Sequence, residues 1–324
     1  MRTADRRRVN RREFLRQGSA AAVAVLAGNR LLEAAPTGPM AAIVRDKTLK
    51  SIEGNKVDAD IVQRLVDKAV MTLAGKDDVA KAWAVYVSPK DRVAVKFNGL
   101  FRNATTHPEV IRAVTNGLVK AGVDPAKIVV YDRSDKDFET ARVAVNRGGT
   151  GVPAYGTGNE YGSPTKAGPV STKLSKILTE ADVLINLPVL KTHEICGVTG
   201  ALKNHLGTVP NAGEFHGNGC LAVADLNTLG PIKDKTRICI ADGLYGLYHG
   251  GPGFKPQYRW DYHGIIASVD PVALDATLED ILKEKRLEQG MSPRHQPTTH
   301  IARAAELGVG VADLTKINRV ALEI

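Results

Sequence analysis

Between Asn186 and Gly207 the chain reads NLPVLKTHEICGVTGALKNHLG, a stretch dense in groups able to do chemistry. His193, Cys196 and His205 are spaced H-x2-C-x8-H, and EFHGNGC downstream adds His216 and Cys220 as H-x3-C. Imidazole and thiolate together suit zinc, iron or copper. His193, Cys196, His216 and Cys220 are therefore the metal candidates. His193 and His205, with Lys191, are the candidates for acid–base work, since imidazole titrates near neutral pH. The spacing matches no standard zinc finger, and three cysteines in the whole chain cannot supply a four-cysteine iron–sulfur cluster. A blander reading stands beside this one: cysteine is commonly a small buried hydrophobe, and loop histidines commonly serve as hydrogen-bonding groups. Cys239, inside the apolar run RICIAD, belongs to the bland class.

The same stretch suggests an anion cradle. Gly197 and Gly200 precede a helix expected over Ala201 to Leu206, and a glycine-flanked helix start offers free N–H groups to an anion. Lys191 lies on the preceding loop, with Lys203 and Asn204 one turn into the helix. The spacing G-x-x-G-x-x-K-N is not that of a phosphate-binding P-loop. Glycines that only permit a tight turn, with solvated lysines, are the structural alternative. Lys96 and Asn98 close the apolar strand DRVAVKFN, where a charged side chain must find solvent or a partner. Asp242 ends RICIAD as a candidate ligand, base or loop-capping carboxylate. Gly250 and Gly251 form a second glycine loop, LYHGGPGF, that could cover a ligand.

The elements that must position these groups alternate. DADIVQRLVDKAVMTLAG has Ile61, Leu65, Ala69 and Leu73 on one helical face, with Asp58 or Asp60 as cap and Gly75 as terminator. DRVAVKFN and AKIVVYDRS read as strands flanking THPEVIRAVTNGLVKAGV, a helix capped by Thr106. DVLINLP, TRICIADGL, HGIIASVDP and INRVALEI read as further strands. STKLSKILTEA, PVALDATLEDILKEKRLEQG and HIARAAELGVG read as helices, with Asp270 capping the second of these. The pattern predicts an α/β fold with a mostly parallel, doubly wound sheet and a loop-rich middle insertion over 146–170. Ligands in such sheets bind beyond the carboxyl ends of the strands. The turns at Lys96–Gly99, Asp132–Ser134, Pro188–Gly200 and Asp242–Gly243 should therefore converge on one rim. No G-x-S-x-G, H-E-x-x-H or G-x-G-x-x-G motif is present.

The formal charge of +9 is unevenly placed. Residues 1–35 hold eight arginines against three acids, so +5 sits there and only +4 remains for the rest. With aromatics at 5%, base-stacking platforms are scarce, and no nucleic-acid partner is expected. NRREFLRQ followed by a short alanine-rich apolar run resembles a twin-arginine export signal. That run is too short to span a bilayer. Residues 1–35 are thus expected to be a signal region, 36–49 a linker and 50–324 the folded domain. The translocation machinery would be a partner, the location periplasmic or envelope, and an uncleaved signal the sole membrane contact.

The series DRVAVKFNG, THPEVIRAV, VVYDRS, LINLPVLKTHEICGVTGALKNHLG, HGNGCLAVADLNTL, IADGLYGLYHGGPGFKP, IASVDPVALD and AAELGVGVADL, in that order over roughly residues 50 to 320, resembles the DUF362 family in its Tat-exported bacterial branch. The family's function is uncharacterised. Some of its members carry a ferredoxin-like cysteine module that this chain lacks, so the iron–sulfur label does not transfer. The resemblance places Lys191, Lys203, Asn204, Asp242 and the glycines of GGPG within family motifs. The expectation is a protein that binds an anionic small molecule, with or without a transition metal, in an enzymatic or redox-associated role. A non-catalytic ligand- or partner-binding envelope protein is the rival.

Overall fold

The computed structural model describes residues 37–49 and 57–324. The signal-like segment lies outside the described residues. The sheet contains β1 (Met40–Arg45), β2 (Val93–Phe97), β3 (Ile128–Tyr131), β6 (Val183–Leu187), β9 (Thr236–Leu247), β11 (Gly264–Ser268) and β12 (Asn318–Glu323), in the order β12-β1-β11-β9-β6-β2-β3. A separate hairpin pairs β4 (Tyr161–Ala167) with β5 (Val170–Ser175). β7 (Val189–His193) continues along β9 after Pro188 and pairs with β8 (Gly197–Val198), while β10 (Arg259–Trp260) pairs with the far end of β9.

The β3, β2, β6 and β9 block is parallel, and β12 is parallel to β1. β11 runs against its neighbours β1 and β9, and the short β10 also runs against β9. The mixed α/β architecture with a largely parallel sheet agrees with the alternation of the sequence. β2 and β6 are buried along their whole length, as strands covered on both faces must be.

Strand alternation decides which side chains face the site. Val93, Val95 and Phe97 of β2, with Val183, Ile185 and Leu187 of β6, enter one apolar core together with Val62, Leu65, Val66, Val114 and Leu118. Ala94 and Leu184 enter the core on the other side, with Leu202, Val272 and Ile301. Lys96 and Asn186 follow those two residues by the two-residue period and stand opposite one another in register. Polar side chains at the carboxyl end therefore share one face.

Local signals account for the helices that frame this face. Asp58 caps the helix Ala59–Ala74 through the Asp60 and Ile61 amides, and Gly75 ends it in the left-handed region at φ 61°. Asp270 caps the helix Pro271–Glu288 through Val272 and Ala273. Three expectations need correction. The stretch 36–49 is not a linker, because MAAIVR forms β1 between β11 and β12. STKLS is not helical: it alternates in burial as β5, and the helix is only Lys176–Glu180. The helix at Pro108 is capped from afar: His107 precedes it, and Asp242 of β9 accepts the His107 N–H at 2.7 Å. Thr106 instead donates its hydroxyl to the Leu187 carbonyl.

Candidate functional site

The turns after β2 and β3 and the segment after β6 do converge. Between them lies a cavity of about 330 Å3, within the range of small-molecule sites. Lys96, Asn98, Lys191, His193, Lys203, Asn204 and His216, all named from the sequence, line it. So do Asp132 and Arg133 at the end of β3, and an apolar part formed by Leu100, Phe101, Ile195, Leu206 and Pro252. Leu100, Phe101 and Ile195 are 45%, 41% and 51% exposed, so they form the mouth rather than the floor.

The floor is a polar network. Lys96 pairs with Asp132 at 2.9 Å, and Asp132 also accepts from the Gly99 and Arg133 amides at 2.7 Å each. Lys191 lies on β7, not on a loop, and donates to the Asn98 side chain at 3.0 Å and the Ala104 carbonyl at 2.6 Å. The Asn98 amide donates to Asn204, whose own amide donates to Asn186 at 2.7 Å. Gly207 closes the floor. A Cβ there would stand 2.2 Å from the Asp132 carboxylate and 2.6 Å from the Lys96 ammonium.

The charge balance is the informative feature. The three lining acids are engaged: Asp132 with Lys96, Asp137 with Ser134, and Glu194 with Lys255. Lys191 and Lys203 are buried, and among the described residues neither has a carboxylate at ion-pair distance. Lys203 donates to the His216 Nε2 at 2.9 Å, a neutral partner whose Nδ1 faces the Ala212 carbonyl. Burial lowers Lys203 to about 7. Lys191 is also lowered to about 7, by burial first and by the charges of Lys203 and Lys96, against the pull of Asp132. His193 is pushed down to about 2, by burial first and then by Lys203, so its ring is neutral.

Other candidates lie elsewhere. His205 is buried off the cavity; Asn186 donates to its Nε2 at 3.1 Å, and burial lowers it to about 3. Asp242 is buried off the cavity as well, accepting from the His107 backbone and ring, each at 2.7 Å, and from the Leu244 amide. Burial would lower the His107 pKa; the charge and hydrogen bond of Asp242 together outweigh it and the net direction is up. Gly250 and Gly251 pack their loop onto β7, with the Gly251 carbonyl accepting from the Glu194 amide, so that only Pro252 of this loop reaches the cavity.

Gly197 and Gly200 do not open onto the cavity either. The helix they precede is short, Gly200–Asn204, and its Ala201 and Leu202 amides donate to Asp275. The acceptor at this helix start is the protein's own Asp275 carboxyl, which burial pushes up to about 7 against the pull of these two amides. Gly200 sits at φ 53°, and a Cβ there would lie 2.3 Å from Asp275. Asp275 is not among the candidates that motif spacing singles out; the sequence signal for it is a lone acid within the otherwise apolar VALDATL.

Three of the four metal candidates lie together, and the fourth, Cys220, is tied to them through Cys196. The donor atoms of His193, Cys196 and His216 lie within 4.8 Å of one another, a group able to hold a metal. The His193 and His216 rings stack with centroids 5.4 Å apart. Cys196 and Cys220 form a disulfide with Cα atoms 5.8 Å apart, in the usual range. In this state the donors are spent: both sulfurs on each other, His193 Nδ1 on the Ile195 and Cys196 amides, and His216 Nε2 on Lys203.

Comparison with known proteins agrees with the family resemblance. The family described as "Domain of unknown function (DUF362)" matches residues 93–280. The thylakoid-associated protein sll1697 of Synechocystis sp. (strain ATCC 27184 / PCC 6803 / Kazusa) is 30% identical over 251 residues, covering 71% of this chain and 73% of that protein. Among solved structures, the lactate racemase apoprotein from Thermoanaerobacterium thermosaccharolyticum aligns with TM-score 0.41 and 11% identity, covering 69% of this chain and 53% of that one.

Proposed function

The chain belongs to the DUF362 family, whose function is unknown, and from the chemistry of its cavity we propose that it binds a small organic anion at the carboxyl rim of the sheet. One observation carries this reading: Lys203 is buried on the cavity wall with, among the described residues, only a neutral histidine as side-chain partner. Buried charges are ordinarily paired, and an incoming carboxylate or phosphate would supply the missing partner to Lys203 and Lys191 together. The exposed Leu100, Phe101 and Ile195 at the mouth favour an anion with an apolar body over a bare inorganic ion. Two amines held near neutrality are also able to exchange a proton with such a ligand, the property an acid–base catalyst needs. Turnover of the identified ligand distinguishes an enzyme from a binding protein.

The test is thermal denaturation with inorganic phosphate, phenyl phosphate and benzoate at millimolar concentration. Phenyl phosphate or benzoate should raise Tm more than phosphate does, more strongly below pH 7 than above pH 8, and Lys203→Met should remove the response. A wild-type protein indifferent to all three overturns the reading. The proposal includes export guided by residues 1–35. Replacing Arg11 and Arg12 together by lysine should retain the protein in the cytoplasm of a Tat-competent host, and unchanged fractionation refutes that part.

A further inference from the structure

The disulfide joins two of the four metal candidates. Cys196 sits three positions after His193, Cys220 four after His216, and the two segments are fastened to each other by the Cys196–Cys220 bond. The bond brings together the two histidines, whose rings stack, and the donor atoms of His193, Cys196 and His216 already lie within 4.8 Å of one another. We propose that His193, Cys196, His216 and Cys220 form a redox-gated metal site, closed as the disulfide and open, once reduced, to one divalent cation of the zinc class.

Two features make the oxidised state a closed one. The sulfurs are bonded to each other and have no thiolate to offer. The bond also holds Cys196 where its amide, with that of Ile195, donates to His193 Nδ1. A neutral imidazole that accepts at Nδ1 carries its proton at Nε2, so neither nitrogen presents a free lone pair to a metal. Opening the bond releases the Ile195–Cys196 segment and with it the Nδ1 contacts. The second segment is able to yield as well: it is built from short 3-10 turns, Ala212–His216 and Asn218–Cys220. Asn218, Gly219 and Cys220 all lie in the left-handed region, at φ 49°, 66° and 66°. A cysteine held there gives up backbone energy that a change of state can recover.

The chemistry balances with a dithiol as reductant. Its thiolate attacks one sulfur of the bond, its second thiol closes to a cyclic disulfide, and two electrons and two protons pass to Cys196 and Cys220. Metal binding then displaces the two thiol protons as the thiolates ligate, giving two sulfur and two imidazole ligands, a set that suits tetrahedral zinc. Lys203 must leave His216 Nε2 for this ring to ligate. It is already on the cavity wall, so the move turns its ammonium toward the cavity interior. The site would thus report the thiol–disulfide state of its surroundings by gaining or losing a metal.

The experiment uses the full chain, first oxidised, then reduced with dithiothreitol and desalted without oxygen, each titrated with cobalt(II) as a spectroscopic stand-in for zinc. The reduced protein should take up one equivalent, with thiolate-to-cobalt charge-transfer bands and the visible bands of a tetrahedral ion, both bleached by zinc. The oxidised protein should show neither. Cys220→Ser should lose the bands, and His193→Gln should weaken cobalt binding tenfold or more, in line with the loss of one ligand. The Cys196→Ala/Cys220→Ala double variant, followed by circular dichroism, reports whether the fold survives without the bond. Equal uptake by both redox states overturns the proposal, as do bands that persist in Cys220→Ser or a reduced protein that stays folded and takes up no cobalt. Unfolding of the reduced protein or of the double variant overturns it too, since a gate needs two folded states.

Discussion

Replacing Lys203 by methionine removes a charge while keeping a long apolar stem. Its effect follows from the burial of the ammonium against one neutral partner. The native state holds this lysine at about 7 instead of 10.5, so between those values it binds fewer protons than the unfolded chain does. Stability therefore falls as pH drops from above 10.5 toward 7 and levels off below. At about 1.4 kcal/mol per unit, the full window corresponds to roughly 5 kcal/mol, and the part between about pH 10 and about pH 6.5 to roughly 3–4 kcal/mol. Methionine avoids that loss and gives up one hydrogen bond, worth about 1 kcal/mol. The ligand-free variant should thus be more stable than wild type by roughly 2–3 kcal/mol at acid pH and close to it near pH 10. Urea denaturation of the purified, dialysed protein at both ends of the window measures this through the midpoint and slope. Anion at a hundredfold excess over its Kd should return about 2.7 kcal/mol to the wild type and nothing to the variant. A variant with the same pH slope as wild type, or one less stable at acid pH, would refute the view that Lys203 is a buried charge awaiting a partner.

Three further outcomes are expected. At pH 5, below the value of about 7 to which burial pushes Asp275, Asp275→Ala orphans the buried Ala201 and Leu202 amides and should cost about 2–4 kcal/mol in urea denaturation, whereas a loss under about 1 kcal/mol would mean that water replaces the carboxyl group. Gly207→Ala forces its Cβ against the Lys96–Asp132 pair, and should weaken anion binding more than it lowers Tm; equal binding by titration calorimetry would argue that this pair is remote from the ligand. His107→Leu leaves Asp242 buried without its ring partner and should cost about 3 kcal/mol in urea denaturation. In the wild type, NMR titration should find the His107 ring above 6.5. The stability this pair contributes is fully present below 6.5 and lost as pH rises through the higher folded value; a pKa below 6.5 would contradict this.

Much of the architecture was open to a reader of the chain alone, because it rests on local rules. The spacing of Ile61, Leu65 and Leu73, the caps Asp58 and Asp270, and apolar strands such as VAVKF and VLINL each report a period or a terminus without help from distant residues. The α/β order follows from them, and so does the rim where Lys96, Asn98, Lys191, Lys203 and Asn204 meet, since parallel strands put their carboxyl ends on one side.

Only the tertiary structure decided what each polar group does there. Whether Asp242 caps a helix or lines a site depends on His107, 135 positions away. Whether the glycines before Ala201 welcome an outside anion depends on Asp275, 74 positions away, which has already taken the place. His193 and His205 share a motif, yet one lines the cavity and the other is buried behind Asn186. The pairing of Cys196 with Cys220, and the meeting of His193, Cys196 and His216, likewise depends on two segments packing side by side. Periodicity along the chain determines which elements form and which face they bury. The partner of a charge is fixed by proximity in space, and no pattern within a single segment carries that.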